Sequence, residues 1–446
     1  MKIKFFERFD YLIIVCIVIL SAMGVAFIYS SAIDSSGVLQ NLDYRKQSVW
    51  CAVGMSLMIV ATIFDYRLFK RYAIPIGIIL VVSLIATRLF GKTVNNSKSW
   101  LGFYGLGIQP SEPGKILFIL FMAWFLERSD KDNPLKRFFL ALCFTLIPMG
   151  LILLQNDMGT ALVYFPIFFV MCYIAHVPLR YLLPVLFCGI LTIVFIMVPL
   201  WQQYILQKPI YIVSVLRDKT IMIAISITLL LIIILSLLGY RYTKKKYFYW
   251  IIYVCSILLI SYALAYMGLH VLTKEGHKYQ RNRLLVYLKS DYDVQVAGYN
   301  VTGAKIAIGS GGMFGQGFKM GNQSHLKFVP EQSTDFIFSI ISEEIGFIGG
   351  LIVFSCFLLI FLRIVIAART TSNLFGSYIC SGVLGMLFFH FLVNIGMDIG
   401  LMPVMGIPLP FVSYGGSAYI TNCIAMGLVM SVASRKLDFG IMNSLQ

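Results

Sequence analysis

Charge is what this chain has least of. Only 13% of its 446 residues are Asp, Glu, Lys or Arg, while 59% are hydrophobic; soluble domains run at about 25% charged and about 45–50% apolar. The deficit excludes a soluble globular enzyme, and the apolar excess excludes a disordered chain. None of the nine cysteines forms a C-x-x-C pair and each lies in or beside an apolar run, which excludes a disulfide scaffold or a zinc site and reads as buried thiols. The five histidines show no H-E-x-x-H or comparable ligand spacing. The net charge of +16 does not point to nucleic acid, because basic residues collect in the cytoplasmic loops of membrane proteins.

What the chain has in abundance is long apolar runs. A membrane span needs about 20 predominantly apolar residues, and twelve segments qualify, at about 11–29, 48–64, 72–90, 113–127, 137–154, 159–176, 180–200, 219–239, 247–269, 336–362, 374–397 and 415–433. The first has the basic flank of a signal peptide (Lys2, Lys4, Arg8), but its apolar core is too long for one and spans continue throughout. With the N-terminus inside, the inner pieces carry 19 Lys and Arg and the short outer loops 8. The positive-inside bias therefore places both termini in the cytoplasm. The expectation is an all-α polytopic integral membrane protein, one domain over 1–446, with a long ordered extracytoplasmic loop at 270–335. That loop holds eight glycines between Gly298 and Gly321.

Ionisable groups at membrane depth are costly and mark functional sites. Here they are Glu112 with Lys115, Asp157, Asp335, Glu343 with Glu344, and Asp398. Most fall near the outer ends of spans, which points to one outward-facing site; a proton-conducting transporter would scatter carboxylates through the bilayer. Each has a structural alternative. Asp157 could cap the helix after it, and spacing alone favours the same for Asp335 ahead of a helix from Phe336. Glu112 and Lys115 stand at i and i+3 as an ion pair would. Glu343 and Glu344 are expected to pair with basic residues of neighbouring helices, and Asp398 to follow and end its helix. The run GSGGMFGQG (Gly309–Gly317) lacks the G-K-[ST] of a Walker loop and reads as a tight fold-back rather than a phosphate cradle. Ser324–Lys327 matches S-x-x-K without S-D-N or K-T-G, a chance match. The basic run YQRNR (Tyr279–Arg283) suits either an anionic headgroup or a solvated loop face.

Several blocks together resemble the SEDS family (shape, elongation, division and sporulation), the membrane proteins of RodA, FtsW and SpoVE type. They are WLGFYGLGIQPSEPGK (Trp100–Lys115), QNDMGTA (Gln155–Ala161), YQRNR, Gly298–Gly317, Gly321–Gly350 and NIGMDIGLMPVMGIPLPFVSYGGSA (Asn394–Ala418). AKIAIGSGG, GNQSHLKFVPE and NIGM are closer to the RodA branch. The resemblance implies a ten-helix core, so the pair at 219–239 and 247–269 is an insertion (about residues 215–270), read as a docking surface for the elongation partner. It implies a peptidoglycan glycosyltransferase that polymerises lipid II on the outer face of the cytoplasmic membrane for cell elongation, partnered by a class B penicillin-binding transpeptidase, other elongation-complex proteins and membrane lipids. A division polymerase of FtsW type, a lipid II flippase and a non-enzymatic scaffold are the alternatives.

Residue by residue, the family's essential aspartate corresponds to Asp335. Trp100, Gln109, Glu112 and Lys115 match the block around its Q-P-S-E motif. Joining an α-linked pyrophosphate donor into a β-1,4 product inverts the anomeric carbon, so one displacement suffices. Asp335 is then the base for the acceptor's 4-hydroxyl. Arg281, Arg283 and Lys305 are the cations for the pyrophosphate, with room for a divalent metal, magnesium or manganese. Glu331 is a secondary acid or metal ligand. Two departures stand out: Ser99 replaces a basic residue often found before the tryptophan, and Ser333 a histidine found in many relatives.

Overall fold

In a computed structural model of the chain the described residues are 9–34, 37–94, 97–103, 106–206, 219–273, 278–289, 297–325 and 332–435. The apolar runs become helices, since a helix satisfies its own backbone where water is absent. In chain order they are α1 (Tyr11–Ser31), α2 (Asp43–Ile63), α3 (Ala73–Phe90), α4 (Ser111–Arg128), α5 (Pro134–Leu153), α6 (Met158–Ile174), α7 (Leu179–Trp201), α8 (Lys219–Thr243) and α9 (Lys246–Leu272). There follow α10 (Lys278–Leu288), α11 (Ala297–Ser310), α12 (Ile337–Glu344), α13 (Phe347–Thr370), α14 (Leu374–Asp398) and α15 (Gly416–Ser434). Ten helices are long and apolar enough to cross a membrane. Two more match expected spans without meeting that standard: α4 carries Glu112, Lys115, Glu127 and Arg128 in its 18 residues, and α6 has only 17.

Two expectations are corrected. The segment 336–362 is not one span: α12 is a short, wholly buried helix, and the chain breaks at Gly346 (φ 74°) before α13 begins. Nor does Asp335 occupy the N-cap position of α12, which falls on Phe336. There is also a small β element: β1 (Lys92–Val94), β2 (Ser97–Phe103) and β3 (Leu106–Ile108) form an antiparallel sheet in the order β1-β2-β3, with Lys92 opposite Trp100 and Leu101 opposite Ile108.

The chain divides into two compact units, Met1–Val177 with Gly303–Gln446, and Pro178–Thr302. In the first, α14 is the central helix, with 72% of its span buried and contacts to α4, α6, α13 and α15. α15, equally buried, lies along α2 so closely that a Cβ on Gly427 would stand 2.6 Å from the Met58 carbonyl. Between α14 and α15 the chain runs as irregular backbone whose Leu409, Phe411 and Val412 are buried. Irregular backbone survives at membrane depth only when protein satisfies it, and residues of α2 and α14 do so below.

In the second unit α8 and α9 form a hairpin, and α9 packs on α7. Leu200, Leu272 and Leu285 bury together and tie α10 to it. Only 6% of the α8 span is buried, so the inserted hairpin presents one nearly bare apolar helix.

Candidate active site

His390, Asn394 and Asp398 follow at i, i+4 and i+8 along α14 and so share one face of it. All three are buried, at 1%, 0% and 0% exposure. At the N-terminal end of this stripe Lys115 on α4 places its ammonium 2.8 Å from the Glu112 carboxylate and 3.1 Å from His390 Nε2. An ammonium only donates, so Nε2 accepts and Nδ1–H donates to the Pro408 carbonyl at 3.2 Å. The expected Glu112–Lys115 pair therefore exists, as a buried pair at 4% and 1% exposure rather than a surface one. It is extended by a histidine from another helix.

One turn further along, Asn394 Nδ2 donates to two carbonyls, Ile407 at 2.9 Å and Asp335 at 2.7 Å. The second bond holds the backbone of the aspartate that the sequence singles out. The Tyr414 amide donates to the Ser333 carbonyl at 2.8 Å, fixing the same turn from the other side. Gln47 braces that stretch from α2, accepting from the Gly415 amide at 3.2 Å and donating to Ser413 O at 3.4 Å. Burial and the Asp43 carboxylate push the Tyr414 phenol above its ordinary range, and Lys46 opposes them. Asp335 itself is half-buried at the start of this turn.

Asp398 is the last residue of α14 rather than a residue beyond it. Both of its carboxyl oxygens are buried without a well-formed hydrogen bond among the described residues; the Ser339 main-chain amide is directed at the carboxyl, and Asp335 acts on it electrostatically. Lys305 on α11, exposed, lies against Gly400, two residues past Asp398, where a Cβ would collide with its Cε and Nζ. Asp335, Asp398 and Lys305 thus gather around the C-terminal end of α14.

Glu343 and Glu344 are structural, and they hold the preceding loop through its main chain. Glu343 accepts the Gln323 amide at 2.7 Å, and Glu344 accepts the Lys319 amide at 2.9 Å and the Ser30 hydroxyl. Their carbonyls accept the Gln316 and Gly317 amides at 2.9 and 3.0 Å, and Phe347 N–H bonds back to Gly312 O at 2.9 Å. The glycine run is the expected fold-back: at Gly315 (φ 79°) a Cβ would strike the Glu344 carbonyl.

Gln109, at the head of the Q-P-S-E block, turns to α6 rather than to α14. Gln109 Nε2 donates to Asp157 at 2.7 Å, and Asp157 caps α6 through the Thr160 amide at 3.1 Å, as its structural alternative had it. Trp100 on β2 is half-buried with its ring over Gly107. Arg281 and Arg283 belong to the second unit, where Arg281 sits 4.9 Å over the Tyr204 ring. Glu331 lies outside the described residues. Among the described residues no three His, Cys, Asp or Glu side chains group to hold a metal ion.

Chemically, the C-terminal end of α14 offers a partly exposed carboxylate on a braced turn, a deeper second carboxyl near it and a lysine against Gly400. That set suits proton removal from a hydroxyl next to an anionic leaving group. Sequence reading missed His390 and Asn394. Their signal was the four-residue spacing of polar residues inside an otherwise apolar span.

Residues 10–218 and 204–437 match the model of the FtsW, RodA and SpoVE family, described as cell cycle proteins. The chain is 44% identical to the peptidoglycan glycosyltransferase RodA of Treponema pallidum (strain Nichols), over 98% of this chain and all of that one. It is 28% identical to the peptidoglycan glycosyltransferase MrdB of Escherichia coli (strain K12), over 92% and 90%. Among solved structures it resembles a chain from a peptidoglycan synthase complex that coordinates polymerization and crosslinking (TM-score 0.66, 23% identity, 96% and 99% covered). It also resembles the rod shape determining protein RodA of Thermus thermophilus (TM-score 0.58, 22% identity, 95% and 96% covered).

Proposed function

The chain belongs to the FtsW, RodA and SpoVE family of cell cycle proteins, and from that membership we propose that it is a multi-pass membrane peptidoglycan glycosyltransferase polymerising lipid II for cell elongation. The observation that carries this reading is the 44% identity, over essentially the full length of both chains, to a protein of that activity. The reaction runs at the outer face of the cytoplasmic membrane, with both termini in the cytoplasm and the polyprenyl tail of the substrate in lipid. A class B penicillin-binding transpeptidase crosslinks the strands. The whole chain serves as one functional domain: residues 270–335 supply the outer loop of the active site, and the inserted pair at 215–270 is a docking surface for the elongation machinery.

Asp335 is the base. Its carboxylate takes the proton of the acceptor's 4-hydroxyl as that oxygen attacks the anomeric carbon of the donor, and the C1–O bond breaks with its electron pair leaving on the pyrophosphate. One inversion results. Asn394 and the Tyr414 amide hold the backbone of the turn, so the base meets the hydroxyl without reorganising. Lys305 faces the leaving charge, and Arg281 and Arg283 bind the pyrophosphate-linked substrate. Trp100, Gln109, Glu112, Lys115 and Glu331 complete the substrate-binding set, Glu112 and Lys115 by anchoring α4 to the helix that carries Asn394.

The test is lipid II polymerisation by the purified protein with its transpeptidase partner, comparing wild type with Asp335→Asn. The amide cannot accept the proton, so polymer is lost by at least about a hundredfold while folding and partner binding persist. Polymer from the variant at the wild-type rate would refute the assignment. Movement of labelled lipid II across sealed liposomes without polymer would replace the enzyme with a flippase.

A further inference from the structure

Asp398 is a buried acid without a function in the mechanism above. Its side chain is 0% exposed, and neither oxygen completes a well-formed hydrogen bond among the described residues, although the Ser339 main-chain amide is directed at it. Native proteins pair such groups almost without exception, and an unpaired one calls for a specific explanation. As a carboxylate it would be a charge in a site of low dielectric next to a second carboxyl, costs that come ahead of what the Ser339 amide returns.

The charged and titratable groups around it are few. Asp335 faces it from the turn before α12, and Lys305 comes from α11 to Gly400. His390 lies two turns down its own helix, where Glu112 and Lys115 of α4 already engage each other and the imidazole. No ion pair joins Lys305 to Asp398 among the described residues, and the Lys305 side chain is exposed. The two acids thus differ in setting, Asp335 half-buried on a braced turn and Asp398 sealed at the helix end. Two neighbouring carboxyls in different settings divide their roles, the wetter one ionised and the drier one protonated.

We propose that Asp398 acts through Asp335 as a positioning residue of the same site: it keeps a proton, so that Asp335 alone carries the negative charge when the pyrophosphate-linked donor arrives. During transfer the proton of Asp398 does not move. The acceptor's hydroxyl proton goes to Asp335, the new C1–O bond forms, and the pyrophosphate leaves with the electron pair of the broken one. Loss of the Asp398 proton sets a second carboxylate against that anionic donor and weakens its capture. The wild-type enzyme therefore has an alkaline limb in kcat/KM that originates in Asp398.

The inference rests on the assignment of Asp335 as base, and the two are separable by experiment. Polymerisation by wild type and Asp398→Asn, each with the partner bound, is measured across pH and read as the ratio of kcat/KM at pH about 9 to that at pH about 7 within each protein, so that a general loss from disturbed packing cancels. The expected result is a ratio at least about fivefold higher in the variant, because the amide mimics the protonated acid and cannot ionise. An unchanged ratio overturns the proposal. Should the variant give too little polymer to measure, infrared spectra of the purified protein decide: the carbonyl stretch of a protonated carboxyl, present in wild type at neutral pH and missing from Asp398→Asn, supports it, and identical spectra overturn it. Asp335→Asn should keep that band; polymerisation by that variant would sink the base assignment while leaving the protonated acid in place.

Discussion

Replacing Asn394 with alanine tests whether the stripe on α14 sets the position of the base. The change deletes two donors, the bonds to Asp335 O at 2.7 Å and to Ile407 O at 2.9 Å. Hydrogen bonds inside membrane proteins are worth about 0.6 kcal/mol on average and up to about 1.7, so two of them account for about 1–3 kcal/mol. Asn394 Oδ1 is itself buried without a partner among the described residues, and removing it offsets part of the loss, leaving about 1–2 kcal/mol of destabilisation. The kinetic effect is larger. A reacting group displaced by about 1 Å loses about a hundredfold in rate, and the Asp335 turn keeps only the Tyr414 amide of the two braces described. We expect kcat for lipid II polymerisation to fall ten- to hundredfold, roughly, with KM nearly unchanged, in protein that melts only slightly earlier. Asn394→Asp should be worse than alanine, since it points a carboxyl at two carbonyl oxygens. The reasoning fails if Asn394→Ala melts earlier yet keeps kcat within about threefold of wild type, a barrier change of about 0.65 kcal/mol.

Two further outcomes follow from buried contacts. Lys115→Met strands the Glu112 carboxylate at 4% exposure, which costs about 3–5 kcal/mol; thermal unfolding in detergent should show the double variant Glu112→Leu/Lys115→Met to be more stable than Lys115→Met alone. Gly315→Ala places a Cβ against the Glu344 carbonyl at φ 79° and stores about 1–3 kcal/mol of strain, so the segment after it should be cut faster in limited proteolysis, with unaltered cleavage as the contrary result.

The spans were legible because a run of apolar residues long enough for the bilayer has few other uses, and each of the twelve runs contains a helix. The break at Gly346 was not, since Ile337–Glu344 and Phe347–Thr370 read as one apolar run; the interruption comes from the Gly309–Gly317 fold-back lying on it, a contact between segments about thirty residues apart. The sheet at 92–108 was missed for a related reason, its strands being two short edges around a longer one. Asp157 as a cap and Glu112 with Lys115 as a pair are local in sequence and were foreseen. What depends on a partner from elsewhere was not: the hold of Asn394 on Asp335, the contact of His390 with Lys115, and the loop amides on Glu343 and Glu344 all join distant positions.

The grip of Glu343 and Glu344 on the loop also bears on how that surface can drift. Four of the loop's anchoring bonds, from Gln316, Gly317, Lys319 and Gln323, are given by main-chain amides, which every residue but proline possesses. Met313, Phe314, Phe318 and Met320 meanwhile project into the surroundings, 47–79% exposed. The frame is thus indifferent to the lettering on its outer side. A lineage can rewrite those four positions to suit a new neighbour without moving the aspartate further along the chain, and saturation mutagenesis there should change partner choice well before it changes chain growth.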